Sequence, residues 1–434
     1  MISIENIKKN GIVGAGGAGF PTHVKLQSKV DIAILNAAEC EPLLHKDEEL
    51  LLHYPDEVLR GFETAMELSG AAQGIIGIKK KNIEIIELLK KKVTNHIQIE
   101  PIGDFYPAGD EVTLVYLTTG RIVQPGDLPI SIGCIVQNVE TVFNIAINQP
   151  VVEKFITIAG EVENPVTIKA PVGTSYSQLL SQVHITTRNY RIITGGVMMG
   201  RLENDLSRVV TKTVSGLIVL PADHYCVQMY ERFNEPKNTI RIAKAGCDQC
   251  SFCTELCPRY LLGHPVRPET AMRNVMFSPQ EAIHVHSGNI FCCQCNLCTL
   301  YSCPEGLDPR GATVLEKSFI MQNNQLHWEG FPVSAHPMMN YRKVPTKKLM
   351  QRLGVMQYQN YGPLTDMKII PERVRILLKQ HVGTPASPVV NINQSVKKYE
   401  LIAEAKGSIS ANVHASIDGQ VTEINENEIV IQRI

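Results

Sequence analysis

The sequence is poor in aromatic residues and has no excess of charge of either sign. It contains one tryptophan, and Phe, Trp and Tyr together make up 6% of its 434 residues. So few aromatic side chains argue against the stacking surfaces that hold single-stranded nucleic acids. Lysine and arginine (42) nearly balance aspartate and glutamate (43), which gives a net charge of −1. We therefore expect no electrostatic attraction to nucleic acid or to an anionic membrane.

Long apolar runs are also absent. A membrane-spanning helix requires roughly 20 consecutive apolar residues, and no stretch of this sequence approaches that length. Lys8 and Lys9 are followed by no apolar segment, so we expect neither a secretory signal nor a transmembrane segment. The hydrophobic content of 44% is ordinary for a globular protein, but 434 residues exceed what one core can organise. About three or four domains are expected.

Cysteine, in contrast, is concentrated in one stretch. Nine of the 12 cysteines lie between residues 247 and 303. There, Cys-x2-Cys-x2-Cys-x3-Cys-Pro begins at Cys247, and Cys-x2-Cys-x2-Cys-x4-Cys-Pro begins at Cys292. A cubane iron–sulfur cluster needs four thiolates, and two intervening residues let one tight turn present successive sulfurs to the same side. Structural zinc and disulfides are the alternatives, but zinc sites usually draw on pairs of ligands and not on runs of four.

The two motifs also predict how the ligands divide. In two-cluster ferredoxins, the cysteine before the proline binds the other cluster. We therefore predict two [4Fe–4S] clusters, with Cys293 left as a packed thiol because its spacing to Cys295 is wrong. Thiolate clusters persist in a reducing compartment, so a cytoplasmic location is expected. Cluster 1 is assigned to Cys247, Cys250, Cys253 and Cys303, and cluster 2 to Cys292, Cys295, Cys298 and Cys257.

A glycine-rich loop near the N-terminus is the second informative stretch. The loop contains Gly14, Gly16, Gly17 and Gly19, followed by Phe20, Pro21 and Lys25. Its Gly-x-Gly-x-x-Gly pattern matches the dinucleotide fingerprint, but the preceding residues are Lys-Lys-Asn, and Pro21 would interrupt the required helix. The loop's backbone N–H groups and one lysine still suit an anionic cofactor. A plain turn is the alternative.

Downstream of this loop, strands alternate with helices, which indicates a mostly parallel sheet. Strands are predicted at 30–35, 74–78, 97–102 and 132–136, and helices at 55–68, 83–93 and 112–117. Ligands of such sheets bind beyond the carboxyl ends of the strands. Three segments lie at such ends: Asn36 with Glu39 and Glu41, Gly109 with Asp110 and Glu111, and Asn138 with Thr141. We predict that they converge on one crevice, although each polar group could instead cap a helix.

Taken together, these segments resemble the flavin subunit of respiratory complex I, which binds FMN and NADH. The sequence departs from that family at Ala15, where an arginine is usual, at Ala38, where an aspartate is usual, and at Asp110, where a glutamate is usual. Carried over by position, the resemblance implies FMN contacts from Gly14, Gly16, Lys25, Asn36, Asn138 and Thr141 and NADH contacts from Phe20, Glu41 and Glu111, with Gly17, Gly19, Glu39, Gly109 and Asp110 completing the cofactor-binding set.

The rest of the chain predicts further domains, so the whole is a multidomain protein of α/β and α+β class. The segment after the flavin domain resembles the soluble-ligand-binding β-grasp domain of the same family. The C-terminal segment resembles a biotinyl/lipoyl-type barrel-sandwich hybrid that lacks the modifiable lysine, which implies a structural or docking role. The predicted units are 1–150 (α/β, FMN and NADH), 151–228 (β-grasp), 229–335 (helical, two-cluster ferredoxin type, with a helix at 279–284), 336–384 (helical linker) and 385–434 (all-β barrel-sandwich hybrid).

A flavin beside iron–sulfur clusters predicts electron transfer. NADH gives up two electrons as hydride and a cluster accepts one at a time, so the flavin is the converter. No side chain is expected to act as a catalytic nucleophile or base. The RnfC proteins of the Rnf ion-pumping complex share these modules, but they carry the barrel-sandwich module before the glycine loop. Here the module follows it, as in the cobalamin reductases of propanediol-utilisation microcompartments.

The resemblance to these reductases spans nearly the whole chain. It implies NADH-dependent reduction of cob(III)alamin to cob(II)alamin and cob(I)alamin, with an adenosyltransferase and microcompartment shell proteins as partners. It also implies a location inside a bacterial microcompartment. The rival hypothesis is an Rnf-type or non-catalytic relay that passes electrons to another protein.

Overall fold

The computed structural model describes residues 2–277, 287–322, 330 and 332–434. The helix expected at 279–284 lies outside the described residues. Within the described part, no helix combines the length and apolarity needed to cross a bilayer.

The N-terminal domain alternates strands and helices, as its sequence pattern predicts. Its helices are α1 (Ile4–Lys9), α2 (Thr22–Leu26), α3 (Lys46–His53), α4 (Pro55–Ser69), α5 (Ile83–Lys90), α6 (Glu111–Thr119) and α7 (Val139–Ile147). Its strands are β1 (Ile32–Ala37), β2 (Gln73–Lys79), β3 (Ile97–Ile102), β4 (Phe105–Tyr106) and β5 (Cys134–Asn138). Pro21 comes just before α2 and does not interrupt a helix. The expected strands and helices are therefore present, with ends shifted by a few residues.

Four of these strands form a parallel sheet in the order β3-β2-β1-β5. The chain runs from β1 to β2 and β3 on one side and later adds β5 on the other. The direction of winding therefore reverses between β1 and β5, which is where ligands of such sheets bind. Asn36 and Asn138 are paired opposite each other at the carboxyl ends of these two strands.

The second domain is a five-stranded mixed sheet with one short helix. Its elements are β6 (Glu153–Gly160), β7 (Val166–Pro171), α8 (Tyr176–Leu180), β8 (Tyr190–Thr194), β9 (Arg201–Glu203) and β10 (Gly216–Pro221). The strand order is β7-β6-β10-β8-β9, and β10 runs parallel to β6 while the other pairs are antiparallel. This arrangement agrees with the β-grasp expectation.

The third domain is helical and carries the two cysteine motifs. Its elements are α9 (Tyr225–Arg232), α10 (Pro236–Gly246), α11 (Phe252–Glu255), α12 (Pro258–Leu261), α13 (Pro268–Phe277), a 3-10 turn (Ser287–Phe291), a π-helical turn (Cys298–Ser302) and α14 (Pro309–Gln322). α10, α13 and α14 pack together around Ala243, Ala271, Met272 and Ala312. The helical character expected for this domain is confirmed.

The C-terminal part forms two small sheets around their own apolar core. Two elements come before these sheets and pack elsewhere: β11 (Val344–Pro345), which pairs with β4, and α15 (Thr346–Leu353). The strands of the two sheets are β12 (Arg373–Leu377), β13 (Ser387–Pro388), β14 (Ser395–Val396), β15 (Leu401–Glu404), β16 (Val413–His414), β17 (Gly419–Ile424) and β18 (Glu428–Gln432). The sheets have the orders β12-β18-β17-β14 and β13-β15-β16. Two sheets that close no barrel agree with the barrel-sandwich expectation.

The linker expected at 336–384 differs from the structure. In this segment only Thr346–Leu353 is helical, and β12 already belongs to the C-terminal sheet because it pairs with β18. The many lysines and arginines of this segment predicted an exposed helix. Val374 and Ile376 are too few to indicate a strand by themselves. Both of these residues are fully buried in the C-terminal core. The module therefore includes β12 and starts earlier than residue 385.

Candidate functional site

The three segments predicted to line one crevice are in contact at the carboxyl ends of β1 and β5. The Asn36 amide Nδ2 donates to the Gly109 carbonyl oxygen at 2.8 Å, and its Oδ1 accepts from the Ala38 N–H at 3.2 Å. A side chain at Gly109 would place its Cβ 2.4 Å from the Ala38 carbonyl oxygen, so only glycine fits this approach. Asn36 thus joins the end of β1 to the segment before α6.

The glycine loop is fixed through the backbone of Ala15. The Ala15 N–H donates to Oγ1 of Thr141 at 2.9 Å, and its carbonyl oxygen accepts from Nζ of Lys154 at 3.1 Å. These bonds hold the loop over the start of α7, where a Cβ on Gly16 would lie 3.5 Å from the Asn138 side chain. Gly17 has φ +116°, which suits glycine, and its Cβ position has no neighbour within 4 Å among the described residues.

This geometry suits a flavin nucleotide. The loop offers uncovered backbone at Gly16 and Gly17 directly above the reversal point of the sheet. Exposed N–H groups in such a loop suit a phosphate or a planar ring with polar edges. Asn138 caps α7 by accepting from the Glu140 N–H at 3.0 Å, and its Nδ2 donates to Asp47 at 2.7 Å. Capping and site formation are therefore not exclusive at this residue.

Beneath the loop lies a buried group of four charges that the sequence did not reveal. Lys46 contacts Oδ1 of Asp47 at 2.6 Å and Oε2 of Glu140 at 3.1 Å, and Lys154 pairs with the same Glu140 carboxylate. Burial lowers the pKa of Lys154 to about 8, although Glu140 opposes this effect. Burial alone would raise the pKa of Glu140, but Lys154 and Lys46 hold it below its usual range. The charges of the two lysines and the two carboxylates cancel, so the glycine loop packs on a buried ion-pair network with no net charge.

Lys25 and Glu111, from α2 and α6, form an ion pair with Nζ and Oε1 2.7 Å apart. The structure thus brings together a residue predicted to contact FMN and one predicted to contact NADH. Both side chains are partly exposed. A bound anion could therefore recruit the lysine without leaving a buried charge behind.

Glu41 is bound by the neighbouring β-grasp domain. Its carboxylate accepts from the backbone N–H groups of Met198 and Met199, both at 2.8 Å. Burial raises the pKa of Glu41 to about 8, although the two N–H groups oppose the shift. Glu39 accepts from the Glu41 N–H at 3.0 Å, and burial followed by the nearby Asp47 raises its pKa. Two backbone N–H groups of the β-grasp domain therefore fix the acidic segment that follows β1.

The remaining loop residues contact the C-terminal part of the chain. Gly14 N–H donates to the Phe20 carbonyl oxygen at 2.9 Å and so closes the loop. The Gly19 carbonyl oxygen accepts from the Val382 N–H at 3.2 Å. Gly19 has φ +68°, and its Cβ would lie 2.9 Å from the Thr213 methyl group. Residues from two later domains therefore pack behind the glycine loop.

The four cysteines assigned to cluster 1 line one cavity. Its volume is about 400 Å³ including open solvent, and its lining includes Cys247, Cys250, Cys253 and Cys303. Among the described residues, no three His, Cys, Asp or Glu side chains converge on a point that one metal ion could occupy. A cubane cluster is held by four thiolates around a multi-atom core, and the four cysteines that line this cavity could supply them. Burial, Glu269 and the other three thiols raise the pKa of Cys253.

The cysteines assigned to cluster 2 are also neighbours. Burial and then Cys292 raise the pKa of Cys257. Burial, followed by Cys292, Cys253 and Cys257, raises the pKa of Cys298. Burial and neighbouring thiols of the same set thus act in the same direction on these pKa values, and Cys253 of the first set adds to the effect on Cys298. Iron would supply the missing positive charge.

The two cysteine motifs repeat at the level of the backbone. Gln249 and Ser251 have φ of 56° and 67°, and the equivalent Gln294 and Asn296 have φ of 57° and 65°. This register makes Cys292 the counterpart of Cys247 and places Cys293 at the position of Asp248. The spacing argument that selected Cys292 as the ligand is thus supported by backbone geometry. Cys293 still lies close to the set, because it hydrogen-bonds Cys295.

The two segments that carry the cysteines assigned to cluster 2 both contact the segments of the predicted flavin site: Arg259 lies two residues after Cys257, and Cys295 lies in the second motif. Arg259 Nη1 and Nη2 contact Oδ2 and Oδ1 of Asp110 at 2.6 and 3.0 Å. Tyr106 Oη donates to the Cys295 carbonyl oxygen at 2.7 Å. Asn296 Nδ2 donates to the Met198 carbonyl oxygen at 3.1 Å, on the same residue whose N–H binds Glu41. The cluster 2 loop therefore packs against the segments that form the predicted flavin site.

Sequence reasoning missed Arg259 and Tyr106 as site residues. Each lies next to a predicted feature in the sequence: Tyr106 shortly before Gly109, and Arg259 directly after the proline of the first cysteine motif. Nothing in the local pattern says that the two segments meet. His264, in the same run, donates its Nε2–H to the Val123 carbonyl oxygen at 2.8 Å, and burial lowers its pKa to about 4. It is a buried residue that joins the segment after the first cysteine motif to the loop at Val123.

A glycine-loop α/β domain joined to two thiol sets defines a flavin and iron–sulfur electron-transfer protein. The comparisons agree with this class. The Nuo51 FMN-binding domain family matches residues 7–147, the 4Fe-4S dicluster domain family matches residues 246–308, and the RnfC barrel sandwich hybrid domain family matches residues 357–433.

The relatives identify the family. The chain is 38% identical to the cobalamin reductase PduS of Salmonella typhimurium over 99% of its length and 96% of that protein. It is equally similar, over the same shares, to the cobalamin reductase PduS of Citrobacter freundii. It is 34% identical to the C component of the Na(+)-translocating ferredoxin:NAD(+) oxidoreductase complex of Acetobacterium woodii, over 58% of the chain and 56% of that component. The chain belongs to the PduS cobalamin reductase family, and it is an oxidoreductase.

Proposed function

We propose that this protein transfers electrons from NADH, through FMN and two [4Fe–4S] clusters, to cobalamin. The single observation that carries the proposal is the contact between the predicted flavin-site segments and the two segments that hold the cluster 2 cysteines, at Asp110–Arg259 (beside Cys257) and at Tyr106–Cys295. A flavin takes two electrons from a nicotinamide and gives them up one at a time. One-electron carriers must therefore lie beside it, and the cluster 2 cysteines do.

The crevice residues divide into those that position FMN and those that face the nicotinamide. In this proposal, FMN lies along Gly14, Gly16 and Gly17 against Asn36, Asn138 and Thr141, with Lys25 near its phosphate. The side of Phe20, Glu39, Glu41 and Glu111 receives NADH, with Gly19, Gly109 and Asp110 shaping the walls. These residues orient the two cofactors and exclude water. None of them needs to exchange a proton with the reacting atoms, since the redox chemistry belongs to the cofactors.

Cluster 2 is the proximal carrier in this proposal, and cluster 1 is the distal one. The cluster 2 loop touches crevice residues on two sides, through Tyr106 and Met198. The cluster 1 cavity opens to solvent, and Cys250 is exposed. α11, which carries Cys253, packs against the π-helical turn that begins at Cys298, and this contact supports transfer between the two sets. Electrons would enter at the crevice and leave at the exposed cluster.

Cobalamin is proposed as the acceptor because the relatives that match nearly the whole chain are named cobalamin reductases. The Rnf-type relative matches only 58% of the chain. The order of modules favours the same choice, since the barrel-sandwich module is C-terminal here. On this basis we also propose action inside a propanediol-utilisation microcompartment, next to shell proteins and an adenosyltransferase that uses cob(I)alamin.

The proposal is tested by anaerobic assay of the protein reconstituted with iron, sulfide and FMN. NADH and hydroxocobalamin are added, and the cobalamin spectrum is followed with an alkylating agent present to trap cob(I)alamin. The expected result is NADH-dependent formation of cob(II)alamin and of the alkylated product. If NADH bleaches flavin and clusters but leaves cobalamin unchanged, the protein is a relay to another protein and the cobalamin assignment is wrong.

A further inference from the structure

The two cysteine loops have equivalent backbones but different surroundings. Phe252 in the first motif corresponds to Leu297 in the second, because each follows a left-handed residue and precedes the third cysteine. Leu297 is 2% exposed and lies in the core that also contains Tyr106 and Met198. Phe252, in contrast, is 50% exposed. The equivalent position therefore holds an apolar side chain in both motifs, but this side chain is buried in the second motif and exposed in the first.

The polar groups of the second loop show what such a surface binds. The Cys295 carbonyl accepts from the Tyr106 hydroxyl, and Asn296 donates to the Met198 carbonyl. In the first loop, no donor from the described part of the chain meets the carbonyl of Cys250, which is the counterpart of Cys295. The occupant of a matching surface would therefore bring hydrogen-bond donors at its rim and an apolar face at its centre.

The charges around the first loop narrow the choice further. The cavity lining contains the acidic residues Asp248, Glu269 and Glu305 and no lysine or arginine. Glu269 is buried and pairs with Arg267, so Asp248 and Glu305 carry the uncompensated negative charge. An acidic rim favours a neutral or cationic occupant over an anionic one.

We propose that cobalamin docks on the exposed first cysteine loop, with its corrin face against Phe252 and its amide side chains toward the Cys250 carbonyl. This inference rests on the proposed function, and it names the place where the substrate is reduced. A corrin has a methyl-covered face, a rim of primary amides that donate hydrogen bonds, and a positive charge in its aquacob(III)alamin form. These properties match an apolar centre, an unpaired carbonyl and an acidic rim. The acceptor there lies beside Cys250, an exposed ligand of cluster 1.

The test is equilibrium binding of hydroxocobalamin to the reconstituted protein. Phe252→Ser removes the apolar face, Phe252→Leu restores much of it, and Ile83→Ser is the matched control, because Ile83 is an exposed apolar residue of the N-terminal domain. We expect Phe252→Ser to raise the dissociation constant about tenfold, since a face-on aromatic contact contributes on this order. Phe252→Leu should lie between, and Ile83→Ser should match the wild type. Iron content, flavin content and NADH–ferricyanide activity should be equal in all four proteins.

Equal dissociation constants for the wild type and Phe252→Ser, with cofactors intact in both, would overturn the docking site. Loss of clusters in Phe252→Ser is resolved by Phe252→Leu, which keeps an apolar residue at the position. If Phe252→Leu keeps both clusters and binds cobalamin like the wild type, while Phe252→Ser loses both the clusters and cobalamin binding, the loss reflects misfolding of Phe252→Ser. In that case the proposal fails. Failure of the proposed function looks different, because the wild type itself would then not reduce hydroxocobalamin.

Discussion

Arg259 holds Asp110 in a bidentate ion pair, with N–O distances of 2.6 and 3.0 Å and exposed fractions of 10% and 13%. Arg259 follows the proline of the first cysteine motif, while Asp110 caps α6 at the edge of the crevice. Burial opposes the charge of Arg259, but Asp110 and then the nearby Cys293 thiol raise its pKa above the ordinary value. One pair thus ties the proposed flavin site to the proposed cluster 2.

This pair predicts a specific effect on electron transfer. Arg259→Lys keeps the charge but cannot form the bidentate contact. We expect reduction of the clusters by flavin to slow about tenfold, while reduction of the flavin by NADH is unchanged. Stopped-flow absorbance after mixing with NADH separates the two phases. The control is Arg342→Lys, since Arg342 pairs with Glu255 at 3.4 Å and is more exposed. Equal cluster rates in the two variants would remove Arg259 from the path.

The cysteine repeat predicts which thiols hold iron. Cys292→Ser should lower the iron content from about eight to about four atoms per chain, because one cubane is lost. Cys293→Ser should keep both clusters, since Cys293 stands at the position of Asp248 and not of Cys247. Iron and sulfide analysis with EPR of the reduced protein measures this. If Cys293→Ser loses a cluster and Cys292→Ser does not, the assignment of these two residues is reversed.

Lys212 predicts how the later domains support the glycine loop. It is buried, and its Nζ donates to the carbonyl oxygens of Gly11 at 2.7 Å and Asn412 at 2.9 Å. Lys212→Met leaves these carbonyls without a donor next to the loop. We expect the dissociation constant for FMN to rise about tenfold with both clusters retained, measured by flavin fluorescence.

The matched control for this variant is Lys398→Met. Lys398 also joins the C-terminal module to the β-grasp domain, through Glu153 at 2.9 Å, but it makes no contact with Gly11. It should bind FMN like the wild type. If both variants lose FMN equally, docking of the module as a whole matters, and the specific support by Lys212 is refuted.

The same lysine predicts a pH dependence of stability. Burial lowers the pKa of Lys212 to about 7, from an ordinary value near 10.5. Between these values the unfolded chain holds a proton that the folded chain does not, so the free energy of unfolding rises with pH. For one full proton the slope is about 1.4 kcal/mol per pH unit. Thermal unfolding of wild type and Lys212→Met from pH 7 to 9 should diverge in the wild type's favour. Parallel curves would contradict a neutral buried lysine.

The sequence predicted the local features of the site well. Continuous apolar runs identify β1 and β2, because a strand of a parallel sheet is buried on both of its faces. The cysteine spacing reflects the geometry of a single turn. These are short-range properties, which a single sequence records. The three segments expected to converge also meet, through the Asn36–Asn138 pairing and the Asn36–Gly109 hydrogen bond, because the ends of parallel strands share one edge.

Contacts between distant segments could not be predicted in this way. Glu140 and Lys154 meet beneath the glycine loop, and although Glu140 lies within the Asn138–Thr141 segment, nothing in the sequence pairs it with Lys154. Arg259 reaches Asp110 across 149 positions of sequence. Such pairs are fixed by how domains pack, and one sequence without that packing carries no signal for them. The early start of the C-terminal module has the same cause, since β12 is defined by its partner β18.

In the proposed path, electrons pass from NADH to the flavin, then to cluster 2, then to cluster 1 and finally to cobalamin. The most direct test is anaerobic stopped-flow mixing of NADH and hydroxocobalamin with the reconstituted wild type and Cys298→Ser, which lacks one cluster 2 ligand. The account predicts flavin reduction in both proteins and cob(II)alamin formation in the wild type alone. Cob(II)alamin formation at the wild-type rate in Cys298→Ser, with cluster 2 shown to be absent, would contradict it.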